Sequence, residues 1–236
     1  MKIDLYNKDC KIVLQELVNK GVIVDAIIAD IPYNIKQADW DSDFNLEELL
    51  PNLYKLLKDG GNIIIFNGWS YVIETKLAMD KFFTIRNWIV YDRIKGRGAK
   101  TNVVSTREDI LWYSKDEKVP YTFNRVMSNI PKKTGGTIGR KNGETNRALS
   151  NVWSDISPIV PWSPERVKHP TQKPIQLMER CVKLWTNEGD TVLDFTMGSG
   201  STGVACKNLN RNFIGIELDK EYFEIVKERL DVDDND

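Results

Sequence analysis

Apolar positions along this chain fall into two alternating rhythms. Ile12 to Val18 has helical spacing, VIVDAIIAD (22 to 30) is a short apolar run rich in β-branched residues, and Leu46 to Leu57 is helical again, with Gly60-Gly61 as its stop. NIIIFN (62 to 67) and WIVYD (88 to 92) repeat the strand signature around an amphipathic helix from about Ser70 to Asp80. That alternation predicts a parallel sheet buried on both faces. EDILWYSK (108 to 115) predicts a further strand. From Glu117 to Glu165 the periodicity disappears in a stretch rich in Gly, Asn, Thr, Lys and Pro, which predicts an insertion or mobile loop. Order resumes at Thr171, with a helix through IQLMERCVKLWTN, a strand TVLDF (191 to 195), a Gly-rich turn, a helix, the strand FIGIEL (213 to 218) and a last helix ending near Leu230. The acidic tail DVDDND predicts a frayed end, and no internal repeat is present.

At 236 residues, the chain suits a single α/β domain covering 1–236, with residues 115–165 as an insertion within it. Its three cysteines, Cys10, Cys181 and Cys206, are odd in number, far apart and form no Cys-x-x-Cys, so neither a disulfide framework nor a cysteine zinc site is supported. A single histidine, His169, excludes a hydrolase whose zinc needs two or three imidazoles, and no metal is expected. The first residues carry no apolar signal core, and no stretch approaches the roughly 20 apolar residues of a membrane span. A soluble, cytoplasmic protein with no membrane partner is the expectation.

Charge changes the picture only when it is read along the chain. The totals, 33 basic against 34 acidic residues, nearly cancel. Yet residues 1–60 hold 7 basic and 11 acidic groups, whereas residues 86–147 hold 14 basic and 6 acidic ones. Arg93, Lys95, Arg97, Lys100, Arg107, Lys132, Lys133, Arg140 and Lys141 belong to this basic third, and Trp88, Tyr91, Trp112, Tyr113, Tyr121 and Phe123 are interleaved with it. A phosphate-facing surface with nucleic acid as partner is one reading; an ordinary solvated face is the other.

Three motifs carry candidate chemistry. Asp30-Ile31-Pro32-Tyr33 follows the apolar strand directly, at the kind of strand end where open α/β sheets bind ligands. In DFTMGSGSTGVAC (194 to 206), a strand ends in Asp194, Gly198-Ser199-Gly200 makes a turn that lets backbone approach a ligand, and Ser201-Thr202 opens a helix. About 20 residues on stands Glu217, an acid placed to accept both hydroxyls of a ribose, so the unit reads as a Rossmann-like half for an adenosine-containing cofactor. Lys168-His169-Pro170-Thr171-Gln172-Lys173-Pro174 uses two prolines to aim the Thr171 hydroxyl and Lys173 ammonium at a fixed point, with a carboxylate as a suitable partner. Taken alone, each motif also has a plain structural reading as a strand-end turn, a strand-to-helix turn or a helix-start loop.

The order and wording of the three together, with HPTQKP matching letter for letter, resemble the beta-class amino-methyltransferases of DNA from Asp9 to Glu217. The resemblance implies a seven-stranded Rossmann-like methyltransferase sheet in circularly permuted motif order, with S-adenosylmethionine as cofactor. It implies that Asp9 and Cys10 contact the cofactor adenine, Glu217 holds its ribose, Gly198 to Ser201 line its methionine portion with Asp194 and Thr202 beside them, and Thr171 with Lys173 binds its carboxylate. It places target recognition between about Lys95 and Pro164. It also brings in a homodimer and a companion restriction endonuclease as partners, neither of which any feature of the chain fixes. Two motifs depart from the family pattern: Ile31 stands where Pro is usual, which relaxes the turn, and Phe195-Thr196 stand where Pro-Phe is usual.

The chemistry agrees with this resemblance. An exocyclic base amine is a poor nucleophile because its lone pair is delocalised into the ring, so a catalyst must favour the pyramidal form found at the transition state. The Asp30 carboxylate and Ile31 carbonyl are acceptors for the two amine hydrogens, Pro32 holds the turn and Tyr33 stacks on the base. Positive charge then develops beside Asp30. The target must be flipped out of a duplex or presented single-stranded. Methylation at cytosine C5 needs a cysteine after proline, which is absent. Cytosine-N4 methylation uses the same machinery, but that group more often has Ser first in the motif, so Asp30 favours adenine N6. Protein-glutamine methyltransferases have their Gly-rich motif before the catalytic one, the reverse of the order here. A nucleotide-binding dehydrogenase and a non-catalytic DNA-binding protein are the readings from other classes; the first requires a nicotinamide cofactor, and the second has no need of Asp30.

Overall fold

The computed structural model describes residues 1–32, 44–97, 100–131 and 146–232. Its central sheet has the order β1 (Ile3–Asn7), β10 (Asn212–Glu217), β9 (Thr191–Asp194), β2 (Val24–Asp30), β3 (Leu57–Asn67), β5 (Ser105–Ser114), β4 (Thr84–Arg97) and the two-residue β8 (Val152–Trp153). The expected seven strands are thus joined by a short eighth. From β1 to β3 every neighbouring pair is parallel. β5 runs against both β3 and β4, so the expectation of a wholly parallel sheet fails at this strand.

Alternation within the strands feeds two cores. Ile27 and Ala29, Ile63 and Ile65, and Leu111 and Tyr113 face helices α1 (Cys10–Asn19), α2 (Leu46–Leu56) and α3 (Val72–Met79). Ile28, Ile64 and Phe66, and Ile110 and Trp112 face α4 (Ile175–Trp185), α5 (Ser201–Asn208) and α6 (Lys220–Leu230) on the other side. Each such aliphatic side chain, fully buried, contributes ~1.5–3 kcal/mol, which is what covers both sheet faces with helices.

Four expectations are corrected here. β1 was not foreseen: its residues are partly exposed and pair on one side only, with β10. Gly60-Gly61 do not follow a helix but lie inside β3, which begins at Leu57. The lost periodicity from 117 to 165, read as an insertion or mobile loop, does not mean an absence of strands: β6 (Met127–Pro131) and β7 (Asn146–Ala148) form a separate two-stranded ribbon and β8 joins the main sheet. Tyr91, Trp112 and Tyr113, read as interleaved with a nucleic-acid surface, are core residues. Residues 233–236 of the acidic tail lie outside the described residues. Among those described, no helix is long and apolar enough to cross a membrane.

This order creates the crevice. β9 leads through α5 to β10 on one side, and β2 leads through α2 to β3 on the other. The chain therefore diverges between β9 and β2, and ligand sites of open α/β sheets form at such a divergence, beyond the carboxyl ends of the strands.

Candidate active site

A cavity of about 410 Å³ opens at this divergence, within the range of roughly 300–1,000 Å³ typical of small-molecule sites. Its walls include Asp9 and Cys10 after β1, Asp30 to Pro32 after β2, Thr171 and Lys173 before α4, Asp194 and the Gly-rich turn after β9, and Glu217 at the end of β10. The three sequence motifs, far apart in the chain, thus share one cavity.

The turn from β9 to α5 has a left-handed backbone at Gly198 (φ 52°) and Gly200 (φ 76°). A Cβ at Gly198 would lie 2.9 Å from His169 Nε2, so the histidine of the HPTQKP string packs directly against the turn. Glu217 holds the turn from the other side: Oε2 accepts from the Gly198 amide at 2.9 Å and Oε1 from the Asp219 amide at 2.8 Å, while burial pushes its carboxyl up. Asp194 is buried, accepting from Thr202 Oγ1 at 2.6 Å and the Thr196 amide at 3.2 Å; burial raises it to about 7. Ser201 Oγ donates to the Lys173 carbonyl at 2.8 Å. Asp9 caps α1, its carboxylate accepting the Lys11 amide at 2.8 Å. Burial drives the Cys10 thiol up to about 12, so it is no nucleophile at neutral pH.

At the end of β2, Asp30 is held through both its backbone and its side chain. Thr196 Oγ1 donates to its carbonyl at 3.1 Å, and Lys173 Nζ lies 2.5 Å from its Oδ2. Burial alone would lower the Lys173 ammonium, but Asp30 and Glu108 hold it above its ordinary value. Lys173, expected at a cofactor carboxylate, thus meets the catalytic-motif acid. Thr171 is exposed, and its amide donates to His169 Nδ1 at 3.3 Å. Ile31 answers the missing proline: its side chain is 2% exposed, packed in the core with Leu46 and Leu49, so burial anchors the turn that a ring would otherwise stiffen. Tyr33 lies outside the described residues.

Two participants went unnoticed in the sequence. Thr196 stood out only as a departure from the family pattern, yet it ties the β9 turn to Asp30. Glu108 sits between Arg107 and Asp109 at the polar start of a run that reads as a plain strand, and no local signal marks it.

Among the basic residues, Arg107 clasps the fully buried Asp109 through Nη2 at 2.8 Å and Nε at 3.1 Å, and Arg93 Nη1 lies 3.6 Å from Glu108. Lys100 is exposed. The side chains of Lys95 and Arg97, and all of Lys132, Lys133, Arg140 and Lys141, lie outside the described residues. The region after β5 is bolted to α4, where Arg180 forms a two-point pair with Asp155 at 2.8 and 2.7 Å and Asp155 also accepts the Asn129 amide.

The donor set suits an adenosine-containing cofactor: a glycine turn that admits backbone contact, an acid at the next strand end and a cavity of fitting size. Comparison with known proteins agrees. A family model of DNA methylases, N6_N4_Mtase, matches residues 24–228. The type II methyltransferase M.HpaI of Haemophilus parainfluenzae is 37% identical, over 90% of this chain and 69% of its own length. The DNA adenine methyltransferase YhdJ of Escherichia coli K12 is 36% identical, over 89% of this chain and 76% of its own. Among solved structures, the M1.HpyAVI–SAM complex superposes with a TM-score of 0.75 at 31% identity, covering 98% of this chain and 100% of that one. With motif order, permuted sheet and site geometry in agreement, the chain belongs to the N6/N4 amino-methyltransferase family of DNA methylases.

Proposed function

We propose that this protein methylates the exocyclic N6 amine of adenine in DNA, acting on a nucleotide flipped out of its stack. The observation that carries the reading is the position of Asp30, on the wall of the cavity that also holds the Gly198 turn and Glu217. S-adenosylmethionine, when bound there, supplies an electrophilic methyl group. Asp9 and Cys10 would border its adenine, Glu217 its ribose, and Asp194 with Gly198 to Thr202 its methionine portion. Thr171 would meet its carboxylate, while Lys173, committed to Asp30, orients that acid. The SAM complex of the related M1.HpyAVI supports this cofactor.

Asp30 and Ile31 are the acceptors that draw the amine hydrogens out of conjugation and free the nitrogen lone pair. The Thr196 bond to the Asp30 carbonyl and the buried Ile31 side chain hold these acceptors in a fixed frame, so little reorganisation is needed as positive charge develops. Pro32 and Tyr33 would keep the turn and stack on the base. Asp at the first motif position and the adenine specificity in the name of YhdJ support adenine over cytosine. Residues 115–165 are assigned to target recognition, supported by the β6–β7 ribbon, which forms a sheet separate from the main one. Phosphate contacts are assigned to Lys95, Arg97, Lys100, Lys132, Lys133, Arg140 and Lys141. Arg93 and Arg107, spent on buried acids, are left out.

Methylated DNA digested to nucleosides and resolved by mass spectrometry should contain N6-methyladenine; N4-methylcytosine in its place would overturn the adenine assignment. Asp30→Ala should abolish methyl transfer while leaving cofactor affinity within a few-fold.

A further inference from the structure

Glu108 belongs to none of the three motifs, yet it reaches the site through Lys173. It lies on β5, on the sheet face that packs against α4, the face that also carries Asp30 of β2 and Phe66 of β3. Its side chain is 11% exposed. Lys173 Nζ, 2.5 Å from Asp30 Oδ2, is 3.5 Å from Glu108 Oε2, so one ammonium serves two acids. Oε2 is buried without a hydrogen-bond partner, and Arg93 Nη1 approaches the other oxygen only to 3.6 Å from a partly exposed position. Burial holds the Glu108 carboxyl above its ordinary value, although Lys173 opposes the shift. A second buried acid is costly and is not needed to balance the lysine, which Asp30 alone would neutralise.

We propose that Glu108 is a positioning residue for methyl transfer, dividing the Lys173 ammonium between two carboxylates so that Asp30 keeps excess negative charge toward the reacting amine. This rests on the reading of Asp30 as the amine's acceptor. Were Lys173 paired with Asp30 alone, its ammonium would cancel the charge of that carboxylate and compete with the amine hydrogens for its lone pairs. Drawn partly toward Glu108, the lysine still fixes the direction of Asp30. With the Arg93 guanidinium 3.6 Å away on the far side of Glu108, positive charge is drawn toward Glu108 and the negative charge is left on Asp30, where the amine nitrogen becomes positive. No bond is made or broken at Glu108.

Single-turnover methyl transfer, with cofactor and a target oligonucleotide duplex both saturating, tests this. The isosteric E108Q should slow the chemical step roughly 10- to 100-fold, with cofactor and DNA dissociation constants within a few-fold of the parent. Its effect should largely vanish in a Lys173→Met background, because Glu108 acts through that lysine. A packing role alone would lower the melting temperature and leave the rate of the folded protein untouched; that result overturns the proposal. Should E108Q fail to fold, Glu108→Asp keeps the charge but withdraws it by one methylene. It should be slowed severalfold, and a full parental rate in it would equally overturn the proposal. Asp30→Ala separates the two readings. Retained transfer there removes the acceptor role itself, whereas transfer lost there with E108Q at parental rate removes only the role of Glu108.

Discussion

His169 shows how a single side chain can be conspicuous in a sequence while its work stays hidden. As the chain's one histidine it drew attention as a member of HPTQKP, but nothing in that string says what the ring touches. In the structure it packs edge-on against Tyr222, with ring centroids 4.4 Å apart, and its Nε2 backs the Gly198 turn. Burial lowers its pKa to about 4. With a folded value below the ordinary 6.5, the ring contributes stability at neutral pH that is lost as pH falls from about 6.5 through about 4. The C2 proton resonance of this only histidine should titrate in NMR with a midpoint near 4; a midpoint near 6.5 would mean the ring is open to water. The placement of Asp30, Glu217 and the glycines around one cavity was readable because it follows from strand ends and turns, which are local. Glu108 and Thr196 were not. Glu108 meets Lys173, 65 positions away, and the Thr196 bond spans 166 positions, so neither partnership leaves a mark in the neighbouring sequence.

Elements were legible wherever apolar periodicity was strong, which covers the interior strands and the helices flanking the site. Misreadings fell where burial is one-sided or a glycine has two uses. β1 pairs only at the sheet edge, so its residues show no apolar run. Gly60 has the positive φ of a helix stop (72°) but uses it within β3, beneath the Pro120 carbonyl, which a Cβ would approach to 2.3 Å. The glycines also offer a controlled test of what holds the cofactor turn. Gly21 and Gly200 both have left-handed backbones, at φ 68° and 76°, but a Cβ at Gly21 meets nothing within 4 Å whereas one at Gly200 lies 2.9 Å from two Val226 methyls. Gly21→Ala should cost about 1 kcal/mol in urea unfolding, the backbone penalty alone. Gly200→Ala should cost roughly 1–3 kcal/mol more, because α5 and α6 must also part. Equal losses would show that the turn, not its packing on α6, sets the cost.

On the scale of the molecule, strand signatures carry no direction, which is why a parallel sheet was expected where β5 is reversed. The basic third was visible as an average, and the structure divides it: Arg93 and Arg107 serve buried acids, and Tyr91, Trp112 and Tyr113 fill the core. The charge left to face DNA should still make binding strongly electrostatic. In fluorescence anisotropy, the logarithm of affinity should fall linearly with the logarithm of salt, by about 0.9 for each phosphate neutralised on duplex DNA. A flat dependence would mean that the basic third does not face DNA. The permuted order that builds the crevice also governs how the molecule comes into being. Its central seam joins β2 to β9, with the Thr191 amide bound to an Asp25 oxygen 166 positions earlier. At ~5–20 residues per second on a ribosome, the apolar edge of β2 waits roughly 10–30 s for its neighbour. For that interval the nascent chain holds an open, β-branched strand edge, so the architecture that gathers the methylation site also lengthens the time for which each new copy exposes a template for aggregation before its sheet can close.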